Sequence, residues 1–582
     1  MQMRKLTYED MLYILAFILA LGVRLFNLGG APLSEIEAGP ALQAFDLARG
    51  SLTAAAPGSQ PGYLALTSAT FSLFGSSDAL ARLWPAIAGS LLVLAPFAFR
   101  RILGRNAALI LAFGLALDPG LVALSRLADG RMMAIGFTVL ALALAYARKP
   151  AGAGIFAGLA LLSEPSICLG LLGMAIAWGV ARWTGIPLGV GILEEGEPTI
   201  TPASASPGFL RTWALFTLGT ILIVSTLFFS FPAGLGAWAN SISVFARGWV
   251  SPSGVPVGRL LVALAVYQPL ALVFATVAVV RDWVRLRPLV LWALAALVLA
   301  MAFTGRQVGD VAWVLVPMWT LAAVGLSVYF GEDAKNPVSL GQAAAIFVLL
   351  SLVWLTLAGL HLAVVEAIRL RVLVVLGIFV LGILTTAFVA LGWNWEIARN
   401  GAVIGVSVAL GVYGISAMLG ASQVHVGSPA ELWMPSPRTG QAELFKDTLR
   451  EVSLSHTGEA NSLEVVSLVD APALRWVLRD YSDALVAASV DEEILPVVVI
   501  APLGSETQTW TAAYRGQDFA WRLNPGWEGV LPEAWVDWLV FRKAPVQSEH
   551  ILLWVRSDLF PDDVVTVDDA VEQPEEESGE LE

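Results

Sequence analysis

The amino-acid sequence predicts an α-helical polytopic membrane protein with a small α/β domain at its C-terminal end. Of its 582 residues, 57% are hydrophobic and only 14% are charged. The mean hydropathy is +0.73, well above that of ordinary soluble proteins. Apolar runs of roughly 20 residues, the length that crosses the hydrocarbon core of a bilayer, recur as far as residue 420. Past residue 423 the runs shorten to strand length.

About thirteen apolar runs predict transmembrane helices, because backbone polar groups in hydrocarbon must be hydrogen-bonded within their own helix. The runs at 105–119 and 151–163 are short for a full crossing, so we expect them to be tilted, kinked or merged with neighbours. The predicted spans are residues 10–27, 79–100, 105–119, 131–147, 151–163, 166–184, 210–231, 257–280, 287–304, 311–330, 340–362, 371–392 and 399–420.

Basic residues predict the orientation of the bundle, since Lys and Arg collect in short cytoplasmic loops. They precede the first span and then occur in alternate loops. With an odd number of crossings, this pattern places the C-terminal region outside the cytoplasm of a multi-pass cell-membrane protein. No small-residue cleavage site follows the first apolar run, which predicts an uncleaved span. The residues concerned are Arg4, Lys5, Arg100, Arg101, Arg105, Arg148, Lys149, Arg281, Arg285 and Arg287.

Three regions follow from these patterns. Residues 1–422 form the predicted transmembrane domain, with a Pro-, Ser- and Glu-rich cytoplasmic insertion at about 185–209. Residues 423–557 form a predicted extracytoplasmic α/β domain, and residues 558–582 a disordered acidic tail. In the α/β domain the runs "LEVVSLVD", "ALVAASV", "LPVVVIAP", "WVDWLVFRKA" and "HILLWVRSD" predict strands with parallel pairing, and "APALRWVLRDY" predicts a helix.

Composition also excludes several kinds of site. The single cysteine, Cys168, cannot form an intrachain disulfide. The four histidines, His361, His425, His456 and His550, lie far apart and lack the spacing of a zinc site. No basic cluster interrupts the apolar runs, which gives nucleic-acid binding no support.

Acidic residues lie in the first predicted outside loop. Glu35 and Glu37 stand two apart, just before a short segment, 40–49, with apolar residues at helical spacing. Residues 61–75 predict a partial or interfacial helix. The two acids either solvate the loop and cap the following helix, or act as a general base or cation ligand near a substrate. Spacing alone does not choose between these interpretations.

A second charged group follows in "LDPGLVALSRLADGRMMAIGF". Asp118, Arg126, Asp129 and Arg131 lie near the outer boundary of two spans. They either form ion pairs that hold helices together or, through the arginines, contact a lipid phosphate, whose oxygens suit the guanidinium fork.

Two further charges lie at the same predicted side. Arg306, in "FTGRQVGDVAW", either snorkels from a helix end or contacts phosphate. Glu164, in "LLSEPS", precedes a proline, and the pattern favours a helix-end cap.

The order of four segments resembles the GT-C superfamily of polyprenyl-phosphate-dependent glycosyltransferases, in particular the protein O-mannosyltransferases and aminoarabinose transferases. These segments are "RLFNLGGAPLSEIEAGPALQAFDLARG", "FSLFGSSDALARLWPAIAGSLLVL", "LDPGLVALSRLADGRMMAIGF" and "TGRQVGDVAWVLVPMWTLAAVGL", and the resemblance covers roughly residues 8–330. The segments "APALRWVLRDY" and "YRGQDFAWR" resemble a prokaryotic flippase-associated, dolichyl-phosphate-mannose transferase-like branch.

The resemblance implies an enzyme that moves a sugar from a polyprenyl-phosphate donor in the membrane to an unidentified acceptor outside the cytoplasm. Glu37, Glu35 and Asp129 would be the base or cation ligands, and Arg126, Arg131 and Arg306 would bind the lipid phosphate. A divalent cation would fit this chemistry, although no spacing requires one. The family usually has Asp-Glu-Ala after a Pro-Leu pair; here Ile36 stands at the position of that Asp.

A different class of function is a catalytically inactive GT-C-like scaffold that binds lipid-linked sugars or a partner in polysaccharide export. Ile36 favours it, as does Glu164, which stands where the family often has a basic residue; the retained acids and arginines favour the enzyme. A transporter is less supported, because no inverted repeat is visible in the sequence.

Overall fold

The computed structural model describes residues 7–51, 58–186, 206–330, 336–359, 365–422, 424, 430–434, 437–490, 496–504 and 512–560. Most of the predicted insertion at 185–209 and of the acidic tail at 558–582 lies outside these residues.

The helices are α1 (Tyr8–Leu25), α2 (Glu35–Arg49), α3 (Pro61–Phe74), α4 (Asp78–Ala81), α5 (Leu83–Leu92), α6 (Ala95–Leu103), α7 (Arg105–Leu117), α8 (Pro119–Ser125), α9 (Arg131–Tyr146), α10 (Pro150–Ser163), α11 (Ile167–Trp183), α12 (Pro207–Ser225), α13 (Gly234–Gly248), α14 (Val257–Tyr267), α15 (Pro269–Arg281), α16 (Trp283–Ala302), α17 (Ala312–Ser327), α18 (Pro337–Ala358), α19 (Val365–Gly392), α20 (Trp395–Ala421), α21 (Ala442–Thr457), α22 (Pro472–Leu478) and α23 (Trp535–Phe541). The strands are β1 (Arg438–Thr439), β2 (Val465–Ser467), β3 (Ala484–Val486), β4 (Val498–Pro502), β5 (Tyr514–Pro525) and β6 (Val546–Arg556).

Long apolar helices dominate the described residues. Seven of them are long and apolar enough to cross a membrane, or up to nine if each of two bent pairs counts as one span. All thirteen predicted runs are helical over most of their length. The multi-pass helical class is therefore confirmed, whereas the number of thirteen crossings stays a prediction.

Two of these helical runs are broken at an X-Pro step. Proline lacks an N–H and clashes with the preceding turn, so a helix ends before it. Asp118-Pro119 separates α7 from α8 with a bend of 53°, and Gln268-Pro269 separates α14 from α15 with a bend of 89°. The short run at 105–119 is thus one arm of a kinked pair.

The centre and the edge of the helical bundle differ in burial. The run Val308–Ser327 joins a 3₁₀ turn to α17, and 83% of its apolar stretch is buried. In Ile368–Gly392 of α19, none of the apolar stretch is buried. The central run begins close to Asp310 in the 3₁₀ turn Val308–Val311. Asp310 is therefore at the end of the most enclosed of these helices.

The predicted outer-loop segments form two short helices. α2 starts after Ser34, earlier than the predicted segment 40–49, and ends at Gly50, whose φ of 72° suits glycine. The predicted helix at 61–75 corresponds to α3, nine of whose residues are buried. Both helices are therefore part of the core around the candidate site.

The chain divides into two compact units. The first contains residues 1–438 and 524–547, and the second contains residues 439–523 and 548–582. The chain thus leaves the second unit and returns to the first before its last strand.

A six-stranded sheet in the order β1-β5-β6-β4-β2-β3 characterises the C-terminal part of the described chain. β2 pairs in parallel with β3 and β4, as predicted, while β4 pairs antiparallel with β6. The small α/β region is confirmed. β5 and α21 were not predicted as elements.

One predicted strand is wrong. The run "WVDWLVFRKA" contains α23, a helix of seven residues whose Trp538 is 1% exposed. Short apolar runs do not distinguish a strand from a buried helical turn, because both can bury every second or third side chain.

Candidate functional site

Glu37 is held in a closed ion pair. Its side chain is 1% exposed and faces Arg82, which is 2% exposed. Arg82 donates from Nε to Oε1 at 2.8 Å and from Nη2 to Oε2 at 3.1 Å. The N–H of Ala128 donates to Oε1 at 2.9 Å, and Ser34 donates to Oε2 through its N–H at 3.0 Å and its hydroxyl at 2.8 Å. These donors fill the roughly four lone-pair sites of a carboxylate.

This environment also fixes the charge of Glu37. Burial raises the pKa of Glu37, but the guanidinium of Arg82 and the hydrogen bonds outweigh that effect and hold the pKa below its usual value. The contact with Ser34 fits the capping interpretation. A role for Glu37 as base or cation ligand stays a prediction, and it would require some of these bonds to open.

The two residues before Glu37 are less enclosed. Glu35 is half-buried at the first position of α2. Ile36, the residue between Glu35 and Glu37, is 47% exposed. The most exposed position of the loop motif is therefore occupied by Ile36, with Glu35 and Glu37 on either side of it in the sequence.

Arg126, predicted to bind phosphate, is 4% exposed and donates to backbone carbonyls. Its Nη1 donates to the carbonyls of Val23, Arg24 and Phe26, at 2.6 to 3.1 Å. Its remaining donors reach two further carbonyls, those of Asn27 and Ser422, at 3.0 and 2.6 Å. A cation at the C-terminal ends of helices is favourable because carbonyls and the helix dipole converge there. These contacts give Arg126 a structural role and lend no support to phosphate binding.

A cavity of about 190 Å³ lies elsewhere in the first unit, among the ends of several helices. Its polar side chains, which form the polar wall, are Gln60, Arg131, Glu164, Ser166, Gln307 and Asp310, and its aromatic side chains, which form the aromatic wall, are Phe245 and Phe303. Its lining residues are Ser59, Gln60, Arg131, Glu164, Pro165, Ser166, Leu169, Val244, Phe245, Gly248, Phe303, Gly305, Gln307 and Asp310.

Arg131 is the cation of the polar wall. Its Nη2 lies 3.6 Å from Glu164 Oε1, and its Nε lies 3.8 Å from Asp310 Oδ1. These are ion-pair distances but exceed those of good hydrogen bonds. The buried Nε has no hydrogen-bond partner among the described residues. The two carboxylates therefore balance the charge of Arg131, but its N–H groups do not form short hydrogen bonds to them.

The carboxylates beside Arg131 are each held at one oxygen. Glu164 Oε2 accepts from the N–H of Ser166 at 2.7 Å, which is the helix-end cap that the sequence favoured. Asp310 Oδ2 accepts from the N–H of Gln307 at 2.8 Å. In both residues the other oxygen is the one nearest to Arg131. The polar wall thus presents carboxylate oxygens that are only half engaged.

Asp129 lies directly behind this wall, in the loop between α8 and α9. Gln60, which lines the cavity, donates from Nε2 to Asp129 Oδ1 at 3.0 Å and accepts from the N–H of Gly130 at 3.0 Å. Burial raises the pKa of Asp129, Arg131 opposes the shift and Glu164 reinforces it, so that the pKa is about 6. The pKa of Asp129 is therefore closer to neutral pH than that of an ordinary aspartate.

Aromatic side chains form another part of the lining. Phe245 and Phe303 stack with ring centroids 5.5 Å apart and an interplanar angle of 14°. Trp249 packs edge-on against Phe303 at 5.3 Å. The N–H of Gly305 donates to the carbonyl of Gly248 at 2.6 Å, and a Cβ at Gly248 would lie 2.4 Å from the Phe303 ring. Glycine at 248 therefore permits the close approach that positions the ring.

In the sequence, Arg306 lies between Gly305 and Gln307, two residues that line the cavity. It is half-buried, and its Nη1 donates to the carbonyl of Val255 at 3.0 Å. Its buried Nε has no partner among the described residues. Unlike Arg131, it forms no ion pair within the described part of the chain.

The polar wall was also tested as a metal site. Across the described residues, no group of three or more His, Cys, Asp or Glu side chains is arranged to hold a metal ion. In the cavity, the guanidinium of Arg131 lies within ion-pair distance of both Glu164 and Asp310 and already supplies a counter-charge to them. The described residues therefore give no support to the divalent cation that the sequence left open, and it stays a prediction.

The structure brings Asp129, Arg131 and Arg306 to the surroundings of one cavity, whereas Glu37 and Arg126 are not among its lining residues. Sequence reasoning missed other residues, namely Gln60, Arg82, Ser166, Phe245, Phe303, Gln307 and Asp310. Asp310 belongs to the quoted segment "TGRQVGDVAWVLVPMWTLAAVGL", where an acid at the start of a long apolar run was a usable signal.

Comparison with solved structures finds ArnT from Cupriavidus metallidurans. Its crystal structure bound to undecaprenyl phosphate aligns with a TM-score of 0.52 and 16% identity over 94% of this chain and 98% of ArnT. The apo crystal structure aligns with a TM-score of 0.53 and 15% identity over the same shares. The Archaeoglobus fulgidus oligosaccharyltransferase aligns with a TM-score of 0.40 and 14% identity over 82% of this chain and 62% of that one, too low to show a shared fold.

No protein-family model and no curated protein matches the sequence. The likeness to ArnT extends over nearly the whole of both chains, so the predicted resemblance to GT-C membrane glycosyltransferases is confirmed as a resemblance of fold. Identities of 15% and 16% carry no residue roles from ArnT to this chain.

Proposed function

We propose that the protein is a membrane glycosyltransferase that moves a sugar from a polyprenyl-phosphate donor to an acceptor outside the cytoplasm. The observation that carries the proposal is the cavity with a charged wall and an aromatic wall, in a fold shared with a protein crystallised with undecaprenyl phosphate. Aromatic rings contact the C–H faces of sugars, and carboxylates and guanidinium groups bond their hydroxyls.

The reaction sets three requirements. The acceptor's nucleophilic atom forms a bond to the anomeric carbon, the bond from that carbon to the phosphate oxygen breaks, and the acceptor's proton passes to a base. The polyprenyl phosphate leaves with one more negative charge, so a fixed cation near the leaving oxygen stabilises the transition state.

We assign these roles to residues around the cavity. Asp129 is the proposed base, because it is an acid with a pKa of about 6 beside the polar wall. Arg306 is the proposed phosphate contact, since it lies between cavity residues and forms no ion pair in the described chain. Arg131 contacts the sugar. Glu35 assists from the first loop, and Glu37 anchors that loop to Arg82.

Donor consumption tests the proposal. Purified protein in lipid nanodiscs is supplied with radiolabelled undecaprenyl-phosphate glucose and a heat-inactivated cell-envelope extract as the source of acceptor, and loss of label from the lipid is followed. We expect loss with the wild type and none with Asp129→Asn. The matched control is Glu396→Gln, which alters an exposed acid at the start of α20 and should keep wild-type activity. The proposal is contradicted if the wild type consumes none of a panel of undecaprenyl-phosphate sugars.

The inactive scaffold is the second candidate function. Exposed Ile36 and fully engaged Glu37 favour it, because together they leave the first loop without a free carboxylate at the family position. A scaffold would bind the same lipid without consuming it. Binding without loss of label, unaffected by Asp129→Asn, would support the scaffold over the enzyme.

A further inference from the structure

The charges around the cavity are unbalanced. On its polar wall, the guanidinium of Arg131 faces the carboxylates of Glu164 and Asp310, with Asp129 behind Gln60. Arg306 is the nearest further cation in sequence, but its side chain is not part of the cavity lining. The surroundings of the polar wall therefore carry a net negative charge when the acids are ionised.

The same wall has hydrogen-bonding groups without partners. Ser166 is 7% exposed, and its hydroxyl has no hydrogen-bond partner among the described residues. The buried Nε of Arg131 likewise has no hydrogen-bond partner among the described residues. Buried polar groups are normally satisfied, since leaving one unpaired costs about 1–3 kcal/mol. Two such groups in one cavity point to a polar ligand whose oxygens accept from them.

The ligand must also donate. Glu164 and Asp310 each have an oxygen beside Arg131 without a close hydrogen bond, and an ionised carboxylate only accepts. Hydroxyl groups meet both needs, because each can accept from Ser166 or Arg131 and donate to a carboxylate. A carboxylate or phosphate on the ligand could accept but not donate, and it would meet like charges in a partly buried site.

We infer that this cavity binds the sugar of the lipid donor as a hydroxyl-rich ring and rejects sugars that carry a carboxylate. This inference rests on the proposed function and adds its substrate class. The apolar face of the ring lies on Phe245 and Phe303, and its hydroxyls face the polar wall. The donor phosphate stays outside the acidic cavity, on the side of Arg306.

A matched pair of lipids tests the inference. Undecaprenyl-phosphate glucose and undecaprenyl-phosphate glucuronic acid differ only in the oxidation of C6, and undecaprenyl phosphate alone reports binding without a sugar. Equilibrium binding of each radiolabelled lipid to the full-length protein in nanodiscs should favour the glucoside over the glucuronide by at least about tenfold. Glucuronide binding equal to that of the glucoside would overturn the inference.

Variants locate the discrimination. Glu164→Gln and Asp310→Asn keep the oxygens that accept from Ser166 and Gln307 while removing one charge each, so the protein should remain folded. Each should reduce the preference for the glucoside several-fold, and Glu396→Gln, which removes a remote charge, should leave it unchanged. An unchanged preference in both cavity variants contradicts the inference.

The remaining outcomes separate the two proposals. If undecaprenyl phosphate alone binds as tightly as the glucoside, the cavity is not a sugar site and the inference fails, while lipid binding stands. If none of the three lipids binds, the proposed function fails and the inference with it. Consumption of both donors at equal rates would refute the inference but support the proposed function.

Discussion

Two arginine–carboxylate contacts of the first unit have opposite characters. Between Arg82 and Glu37, two hydrogen bonds at 2.8 and 3.1 Å form a buried pair whose carboxylate is saturated. Around Arg131, the carboxylates stand at 3.6 and 3.8 Å and line a cavity. The first contact resembles a structural cross-link and the second an open binding surface. The presence of an acid therefore does not indicate a substrate site by itself. The number of hydrogen bonds that its oxygens already accept indicates whether it can bind a substrate.

Removing one member of the Glu37–Arg82 pair should lower the stability of the protein more than any other change discussed below. Glu37→Ala leaves Arg82 buried without its partner, and loss of one member of a buried pair typically costs about 3–5 kcal/mol. We expect a marked fall in the thermal unfolding temperature of the detergent-solubilised protein. Arg82→Ala should have a similar effect. Wild-type stability in both variants would show that the contact is not structural.

Arg131 should show the converse pattern. Arg131→Met removes guanidinium donors from a partly open site, and hydrogen bonds to charged groups contribute about 1.5–3 kcal/mol. We therefore expect donor consumption to fall roughly 10- to 100-fold, with a smaller change in the unfolding temperature than Glu37→Ala causes, because the ion pairs of Arg131, at 3.6 and 3.8 Å, are longer than the hydrogen bonds of Glu37. Circular dichroism provides the folding control. A variant that unfolds as readily as Glu37→Ala would remove the distinction between the two contacts.

The pH dependence of activity sharpens the comparison further. Burial raises the pKa of Asp129 to about 6 from 3.8, so the proposed base is protonated in acid and activity should rise as the pH increases through about 6. Because the folded-state pKa is raised, the stability that Asp129 contributes is fully present below pH 3.8 and is lost as the pH rises to about 6. A rate profile from pH 5 to 8 and unfolding curves from pH 3 to 8 measure these effects. The unfolding profile of Asp129→Asn should lack this component, and an unchanged rate profile in that variant would refute the assignment.

The smallest expected effect concerns the aromatic wall. Gly248→Ala places a methyl group against Phe303, so the ring must shift or turn, with an expected loss of donor affinity of only about threefold to tenfold. Binding of undecaprenyl-phosphate glucose measures it. Gly236→Ala on the same helix, where a Cβ meets nothing within 4 Å, is the control. Equal affinities in the two variants would show that Phe303 does not contact the sugar.

Much of the fold was predictable because its signals are local. Apolar runs of spanning length are set by composition, and Pro119 and Pro269 mark the breaks through loss of an N–H. The strands around Val466 and Val499 follow from short β-branched runs. The helix at Trp535–Phe541 was missed, since its seven residues are too few for periodicity to separate helix from strand.

The site was less predictable because its geometry is not local. Arg131 and Arg306 were singled out as cations, but nothing in the sequence shows that Glu37 meets Arg82, 45 residues away. The carbonyls that hold Arg126 come from residues about 100 and about 300 positions distant. Polar residues such as Gln60 and Ser166 give no sequence signal, because their importance comes only from what faces them.

The measurement that tests the central claim most directly compares Asp129→Asn with Glu37→Gln. Both variants replace an acid by its amide, and donor consumption is measured below the unfolding temperature of each and normalised to folded protein. If the open cluster carries the chemistry, Asp129→Asn loses activity by at least about 100-fold, in line with loss of a general base, while folded Glu37→Gln stays near the wild-type rate. Full activity in Asp129→Asn together with an inactive, folded Glu37→Gln would contradict the account.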